Sequence, residues 1–473
     1  MSGGGIGVNY SRLRPEGAPL KRKGGFSTGP IALMNMVNED GRFIMQGGSR
    51  RSAIWAGLRW SHADQHKFIR LKDWDKEVRD LKAKNFNFPA PMDMTNISTA
   101  LDDEFFDAYH DTTHTKNAHA QSVYWAAVER MLKTGEPGFS IDVGPNAGED
   151  LRNACTEVTS ADDSDVCNLG SINLARIDSL DEMQKVTELA TIFLLAGTLY
   201  SDLPYDKVYQ VREKNRRLGL GVMGLHEWLI ARGKKYGPDV ELGKYLEIYG
   251  GSTFVAWIWA DRLGISRPVK TRAIAPTGTI GILAETTTGI EPIFCAAYKR
   301  RYLKHKTWHY QYNIDPVVRN LVDQGVNPDN IEDAYSISPE RRVAFQAWVQ
   351  QYVDHGISST INLPAWGSEA NNESLVKDFG NMLLKYLPKL RGITCYPDGS
   401  RGGQPLTPVK YHTALKHLGQ IFEEKGEEKE PSPALAVPFD VKDAEAVVKE
   451  MTDFEASKPL DVCDLRGGGS CGV

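Results

Sequence analysis

Cysteine is scarce in this chain, six in 473 residues, and the six follow no framework spacing. That excludes a small disulfide-stapled fold and points to a reducing compartment in which thiols are kept for chemistry. Long apolar runs are lacking too. The richest, around Ile192 to Leu199, is too short for a bilayer and reads as a buried helix. The first residues, Met-Ser-Gly-Gly-Gly-Ile-Gly, contain no signal-peptide core, so the cytoplasm is the expected location. Nor is positive charge in excess: 56 Lys and Arg stand against 61 Asp and Glu, a net −5. A nucleic-acid polymer or an acidic membrane is therefore not the expected partner, whereas a small anion in a local pocket is compatible. What is present, 41% hydrophobic and 25% charged residues, suits a globular chain with a large α/β core.

Two of the six cysteines lie between residues 153 and 174. Asn153, Cys155 and Glu157 stand at i, i+2 and i+4, so an extended backbone would put an amide, a thiol and a carboxylate on one face. A thiol can attack or carry a radical, a carboxylate can take a proton from a hydroxyl, and an amide can hold what lies between. A lone Cys155 would read sooner as a small core residue on a half-buried strand. An ordinary nucleophile is a weaker reading, since no His lies near Cys155 in sequence. Cys167 then opens Cys-Asn-Leu-Gly-Ser-Ile-Asn-Leu.

Asn-x-Cys-x-Glu followed by that octapeptide resembles the active-site segment of class I and class II ribonucleotide reductases. The resemblance implies that Cys155 becomes a thiyl radical, Glu157 acts as base, Asn153 orients the substrate, and Cys167 is half of a reducing dithiol. Other stretches extend it. Residues 3 to 30 combine close-approach glycines with five basic residues. They resemble the segment that lines the substrate site at Gly4 and Gly5 and then binds an effector deoxynucleoside triphosphate, here near Arg14 and Lys21. Residues 47 to 53 resemble the family's Gly-Gly-x-Arg segment, and Asn85 to Asp93 occupies the place of its second specificity loop. Pro276, Thr277, Gly278, Thr279, Ile280 and Gly281 form a turn at a helix start, a natural phosphate cradle that is not a Walker loop. They match the family's phosphate-binding segment, as does the later Thr-Gly-Ile-Glu-Pro.

Periodicity predicts a helix over Ala120 to Lys133, stopped by Gly135 and Pro137, and a second, more buried helix over Asp181 to Ser201. The glycines of Arg217 to Leu225 read as close packing in a strand or turn rather than as a dinucleotide fingerprint. Glu423 to Pro433 reads as an exposed acidic loop. Cys463 and Cys471, on a glycine-rich tail, lack the second pair a zinc site needs. By resemblance they are a swinging dithiol that a thioredoxin or glutaredoxin would reduce.

The resemblance implies a ten-stranded α/β barrel over residues 1 to 455, with a finger loop carrying Cys155 and a flexible tail over 456 to 473. It implies a homodimer acting on ribonucleotides. The family's regulatory domain and the first strand, which bears the partner of Cys167, are expected to be missing; either another chain supplies that partner, the true start lies upstream, or Cys295 or Cys395 substitutes. A catalytically silent nucleotide-binding remnant is the rival reading. No metal is expected in this chain. For the radical, the likeness to short cyanophage reductases favours a separate ferritin-like dimetal subunit reached through Tyr396, with adenosylcobalamin as the alternative.

Overall fold

Two sets of parallel strands run in opposite directions and meet along one short seam. The computed structural model describes residues 5–22, 24–46, 50–84, 88–304, 307–400 and 406–423. In the first set, β1 (Gly5–Asn9), β4 (Ala53–Arg59), β5 (Thr95–Asp102) and β6 (Gly138–Asp142) lie side by side in that order. Parallel neighbours need long crossovers, and helices Gly29–Phe43, Lys76–Lys84 and Asn117–Thr134 fill them. A small antiparallel pair, β2 (Met45–Gln46) with β3 (Arg50–Arg51), precedes β4.

The second set starts downstream. An antiparallel pair, β7 (Leu151–Arg152) with β8 (Thr159–Ser160), interrupts the connection from β6. Then β9 (Asn168–Asn173) pairs in parallel with β10 (Leu218–Met223). Single parallel bridges, Leu220 to Arg272 and Ile274 to Ile357, carry the layer across two extended segments. Beyond the hairpin of β11 (Ala297–Lys304) and β12 (Thr307–Ile314), the set ends with β13 (Thr360–Leu363) parallel to β14 (Gly392–Pro397). β14 runs antiparallel to β6, Gly392 opposite Ser140, and joins the two sets. Among the described residues β1 and β9 each have one ladder partner, so the sheet has an edge at each end.

The main apolar core fills the space between these strands and the outer helices. The helix expected from Ala120 spans Asn117–Thr134 and buries Val123, Ala127 and Met131 at its 3.6-residue spacing. Gly135, at φ 85°, ends it with its N–H on the Met131 carbonyl. The second expected helix is Leu180–Tyr200, capped by Ser179, but it is not the more buried one. Leu189, Phe193 and Tyr200 are 67, 78 and 93% exposed. The second half of this helix, from Leu189 to Tyr200, is apolar nearly all round, so its composition did not reveal which stripe would face β9 and β10. The acidic stretch expected as a loop begins as a strand: β15 (Leu406–Pro408) and β16 (Ile421–Glu423) flank β11 and β12, and Glu423 pairs with His309. The rest of that stretch lies outside the described residues. Among the described residues no helix is long and apolar enough to cross a membrane.

Candidate active site

Asn153 and Glu157 meet, but in a turn rather than as neighbours on a strand face. Residues 153–158 form the turn between β7 and β8. The Thr156 N–H donates to the Asn153 carbonyl at 3.1 Å, and the Val158 N–H donates to Asn153 Oδ1 at 3.1 Å. Thr156 takes the left-handed region at φ 68°, which reverses the chain. The turn leaves Cys155 exposed at the tip and folds Glu157 back to 1% exposure. Asn153 also hydrogen-bonds the Glu157 carboxylate. The extended segment expected there gives way to a reversal, in which Asn153 Oδ1 takes the Val158 N–H and the bare backbone of Gly7 and Gly356, distant in sequence, leaves room for it.

The turn is gripped from both strand sets. A Cβ on Gly7 of β1 would lie 1.7 Å from the Arg152 carbonyl oxygen, so only glycine admits the hairpin there. On the opposite side, the Gly356 N–H donates to the Glu157 carbonyl at 2.7 Å. Asn96 of β5 reaches the Ala154 carbonyl at 3.5 Å. Gly5, expected to line the substrate site, faces Ala154, 3.2 Å from where its Cβ would stand. Gly4 lies outside the described residues.

Cys167 begins the approach to β9, and its sulfur lies 3.0 Å from where a Gly219 Cβ would be. Burial, with the Glu157 carboxylate nearby, pushes its thiol well above the usual value. Burial likewise raises the Glu157 carboxyl, although Asn153 opposes this. The glycines of β10 serve close packing as expected: the Gly221 Cβ position is 2.6 Å from the Ala273 carbonyl. Cys167, Cys295 and Cys395 are all free thiols. Cys395 and Ile393 belong to the outer core, whereas Gly392 on the other face of β14 looks towards Thr156. Strand alternation therefore turns Cys395 away from the face on which Gly392 meets Thr156, and the Tyr396 ring lies 3.0 Å from where a Gly135 Cβ would stand, at the end of helix Asn117–Thr134. Cys295 is buried beside the smaller β11–β12 cluster, where burial and then Asp333 and Asp315 raise its thiol.

Pro276 is exposed and Thr277 adopts φ 50° at the start of helix Gly278–Leu283. Thr277 Oγ1 accepts the Gly289 N–H at 2.8 Å, which braces the turn. The N–H groups of Gly278, Thr279 and Ile280 have no acceptor within a helix that starts there, while Gly281 packs against Thr288. A cavity of about 420 Å³ adjoins this turn, walled by Pro276, Thr288, Glu291, Ser358 and Asn362. A larger one of about 650 Å³ lies at the far end of β14, with Asn96, Trp366, Asp398 and Ser400 in its wall. Asn96 touches the hairpin, so the tip adjoins this larger cavity. Sequence reasoning did not single out Asn96 or Asp398. Asn96 carries no motif; Asp398 sits in a Pro-Asp-Gly turn, and burial pushes its carboxyl up to about 6.

Arg14 and Lys21 are both exposed, on a loop folded back through the Gly17 N–H to Ser27 carbonyl bond, and they line neither cavity. Cys463 and Cys471 lie outside the described residues. Among the described residues no group of three or more His, Cys, Asp or Glu is placed to hold a metal ion.

Residues 1–131, 82–242 and 266–396 match the family described as ribonucleotide reductase, barrel domain. The vitamin B12-dependent ribonucleoside-diphosphate reductase of Thermoplasma acidophilum is 28% identical over 98% of this chain, which spans 64% of that relative's length. The fold resembles a class Id ribonucleotide reductase alpha subunit of Actinobacillus ureae, with TM-score 0.63 at 16% identity over 83% of this chain and 77% of that one. It resembles a B12-dependent class II ribonucleotide reductase equally, with TM-score 0.62 at 18% identity over 94% of this chain and 64% of that one. Nothing in these likenesses singles out the short cyanophage enzymes. The matched residues make up most of the chain and include the hairpin, Cys167 and the Pro-Thr-Gly-Thr turn, so the chain belongs to the ribonucleotide reductase family.

Proposed function

We propose that the chain is the catalytic barrel of a ribonucleotide reductase, with residues 143–167 as its finger loop. The observation that carries this reading is the junction of the Cys155 tip, the buried Glu157 and the Cys167 sulfur between two antiparallel strand sets. In this reading a Cys155 thiyl takes the 3′ hydrogen of a ribonucleotide and Glu157 accepts the 3′ hydroxyl proton. The 2′ hydroxyl then leaves as water with one proton of the dithiol, whose other hydrogen goes to the 2′ carbon. Cys167 and a partner thiol supply two electrons and become a disulfide, after which Cys155 returns hydrogen to the 3′ carbon. The open edges of β1 and β9 suit one further strand between them, which would make the barrel ten-stranded and bring that partner thiol. The Pro-Thr-Gly-Thr turn takes the phosphates. The barrel runs to about residue 455, and a reducing cytoplasm suits its thiols.

For the radical we favour adenosylcobalamin over the separate dimetal subunit expected from the sequence. The names of the Thermoplasma relative and of the class II structure favour it. The fold alone is neutral, being as close to the class Id subunit. The larger cavity is roomy enough for an adenosyl group, with Trp366, Asp398 and Ser400 to hold it, while a corrin ring would have to rest over its mouth. The cofactor would supply a hydrogen-atom acceptor for the Cys155 thiol. Assay of the purified chain with a ribonucleotide, a dithiol and adenosylcobalamin alone should give deoxyribonucleotide. Turnover only with a metal-loaded partner subunit, lost in Tyr396→Phe, would reverse this choice.

Two further parts of the reading are tested separately. Replacing both Cys463 and Cys471 with Ser should spare turnover driven by a small dithiol and stop turnover driven by a thioredoxin; equal loss with both would mark a structural tail. A deoxynucleoside triphosphate held near Arg14 and Lys21 should raise the sedimenting mass to that of a dimer. No change in mass or substrate preference would remove the effector site from that loop.

A further inference from the structure

The hairpin that carries Cys155 is anchored at its base by a cluster of buried charges centred on Glu149, six residues before the cysteine. Glu149 Oε1 meets Arg217 Nη1 at 3.0 Å, and Oε2 meets Lys270 Nζ and accepts from Thr159 Oγ1 at 2.7 Å. Arg391 Nη2 lies 3.6 Å from the same oxygen. The three cations come from three elements of the second strand set: Arg217 just before β10, Lys270 just before the 271–274 segment, Arg391 just before β14. A fourth element adds His355, whose Nδ1 accepts the Thr159 N–H at 3.1 Å.

The descending arm of the loop is tied to the same cations. Arg217 Nε donates to Asp165 Oδ2 at 2.5 Å, and that oxygen also accepts from Ser160 Oγ at 2.7 Å and Asn215 Nδ2 at 2.8 Å. Arg217 thus spans Glu149 and Asp165, one on each arm. Its side chain is 4% exposed, and those of Lys270 and Glu149 are 10% and 15% exposed. Although burial pushes the Glu149 carboxyl up, Lys270 and Arg217 hold it below its usual value, so it is ionised where it meets them. Buried pairs of this kind rarely add much net stability against apolar packing, but they specify one arrangement, because a displaced partner is left as an unpaired buried charge.

We propose that Glu149 is a positioning residue, the hub that ties both arms of the hairpin to the starts of the second-set strands and so fixes where Cys155 and Glu157 stand. The bonds of Asn153 to Val158 and Thr156 shape the tip, and Gly356 and Asn96 hold it at the Glu157 and Ala154 carbonyls, whereas the Glu149 cluster fixes the base from which both arms rise. The inference rests on the reductase reading only for its kinetic consequence.

The test compares wild type with Glu149→Gln, which removes the charge and keeps the size, and Glu149→Asp, which keeps the charge. Hydrogen exchange should rise at least about tenfold in the peptides covering residues 150–165 and 354–358 of Glu149→Gln and stay unchanged in β5 and helix Asn117–Thr134, as for a local opening. Turnover should fall at least about tenfold in kcat with KM within about twofold, and Glu149→Asp should recover much of both. Exchange that does not change, or that rises equally throughout, overturns the proposal, as does a loosened hairpin with full kcat. If Glu149→Gln fails to fold, Glu149→Gln with Lys270→Met removes both charges of one pair and is read by the same criteria. Turnover persisting in Cys155→Ser would instead end the reductase reading and leave the exchange result standing.

Discussion

Cys155→Ser should reduce turnover to the background of the assay while ribonucleotide binding stays within about twofold of wild type, as expected for an interaction used only in the reaction. The two γ atoms differ little in size, and the residue is exposed at the tip of the turn, so the substitution leaves no cavity and strands no buried group. What changes is the X–H bond. A serine hydroxyl holds its hydrogen atom too strongly to yield the radical that a thiol yields. Equilibrium binding of a ribonucleoside diphosphate or triphosphate, measured beside deoxyribonucleotide formation, separates the two effects. Undiminished turnover with either radical source would refute the role. Loss of binding in parallel would make Cys155 a structural residue of the turn.

Glu157→Gln should lower kcat by about 10²- to 10⁴-fold, the usual contribution of a positioned base, or about 3 to 5 kcal/mol in the barrier. The same variant tests the environment of the carboxylate. Burial raises the Glu157 carboxyl above its ordinary range, against the Asn153 hydrogen bond. A base must be ionised to accept a proton. Wild-type kcat should therefore be full above that raised value and fall as pH drops through it, at a pH higher than an exposed glutamate would give. Glu157→Gln, with no carboxyl to titrate, should lose that acid limb. A pH profile of kcat for both proteins is the measurement, and an unchanged limb in the variant would assign the titration to another group, with Asp398, pushed up to about 6, as the next candidate.

The family was legible because the motif that carries it is written locally. Asn153, Cys155, Glu157 and Cys167 fall within 15 residues, and their types fit one reaction class whatever the backbone does. Pro276 to Gly281 was legible for the same reason, since a turn at a helix start is a short-range event. The strand reading of 153–157 failed on a long-range one. Alternation at i, i+2 and i+4 suits a strand, but here the Asn153 side chain takes the Val158 N–H and the bare backbone at Gly7 and Gly356 makes room for a reversal. No residue within the pentapeptide reports on glycines some 150 and 200 positions away.

The sequence by itself determined which side chains are available for radical and dithiol chemistry, where glycine or proline ends a helix, and the 3.6-residue stripe that buries Val123, Ala127 and Met131. Each depends on neighbours within a turn or two, where propensity and periodicity act. Only the tertiary structure decided that Cys395 is buried in the outer core while Gly392 of the same strand meets Thr156 of the hairpin. It also decided that Leu189, Phe193 and Tyr200 lie on the outside of their helix, and that Glu149 meets cations from three separate elements. Those outcomes depend on which strands become neighbours. That choice is made by burying the apolar faces of the whole chain at once, and single residues follow it rather than cause it.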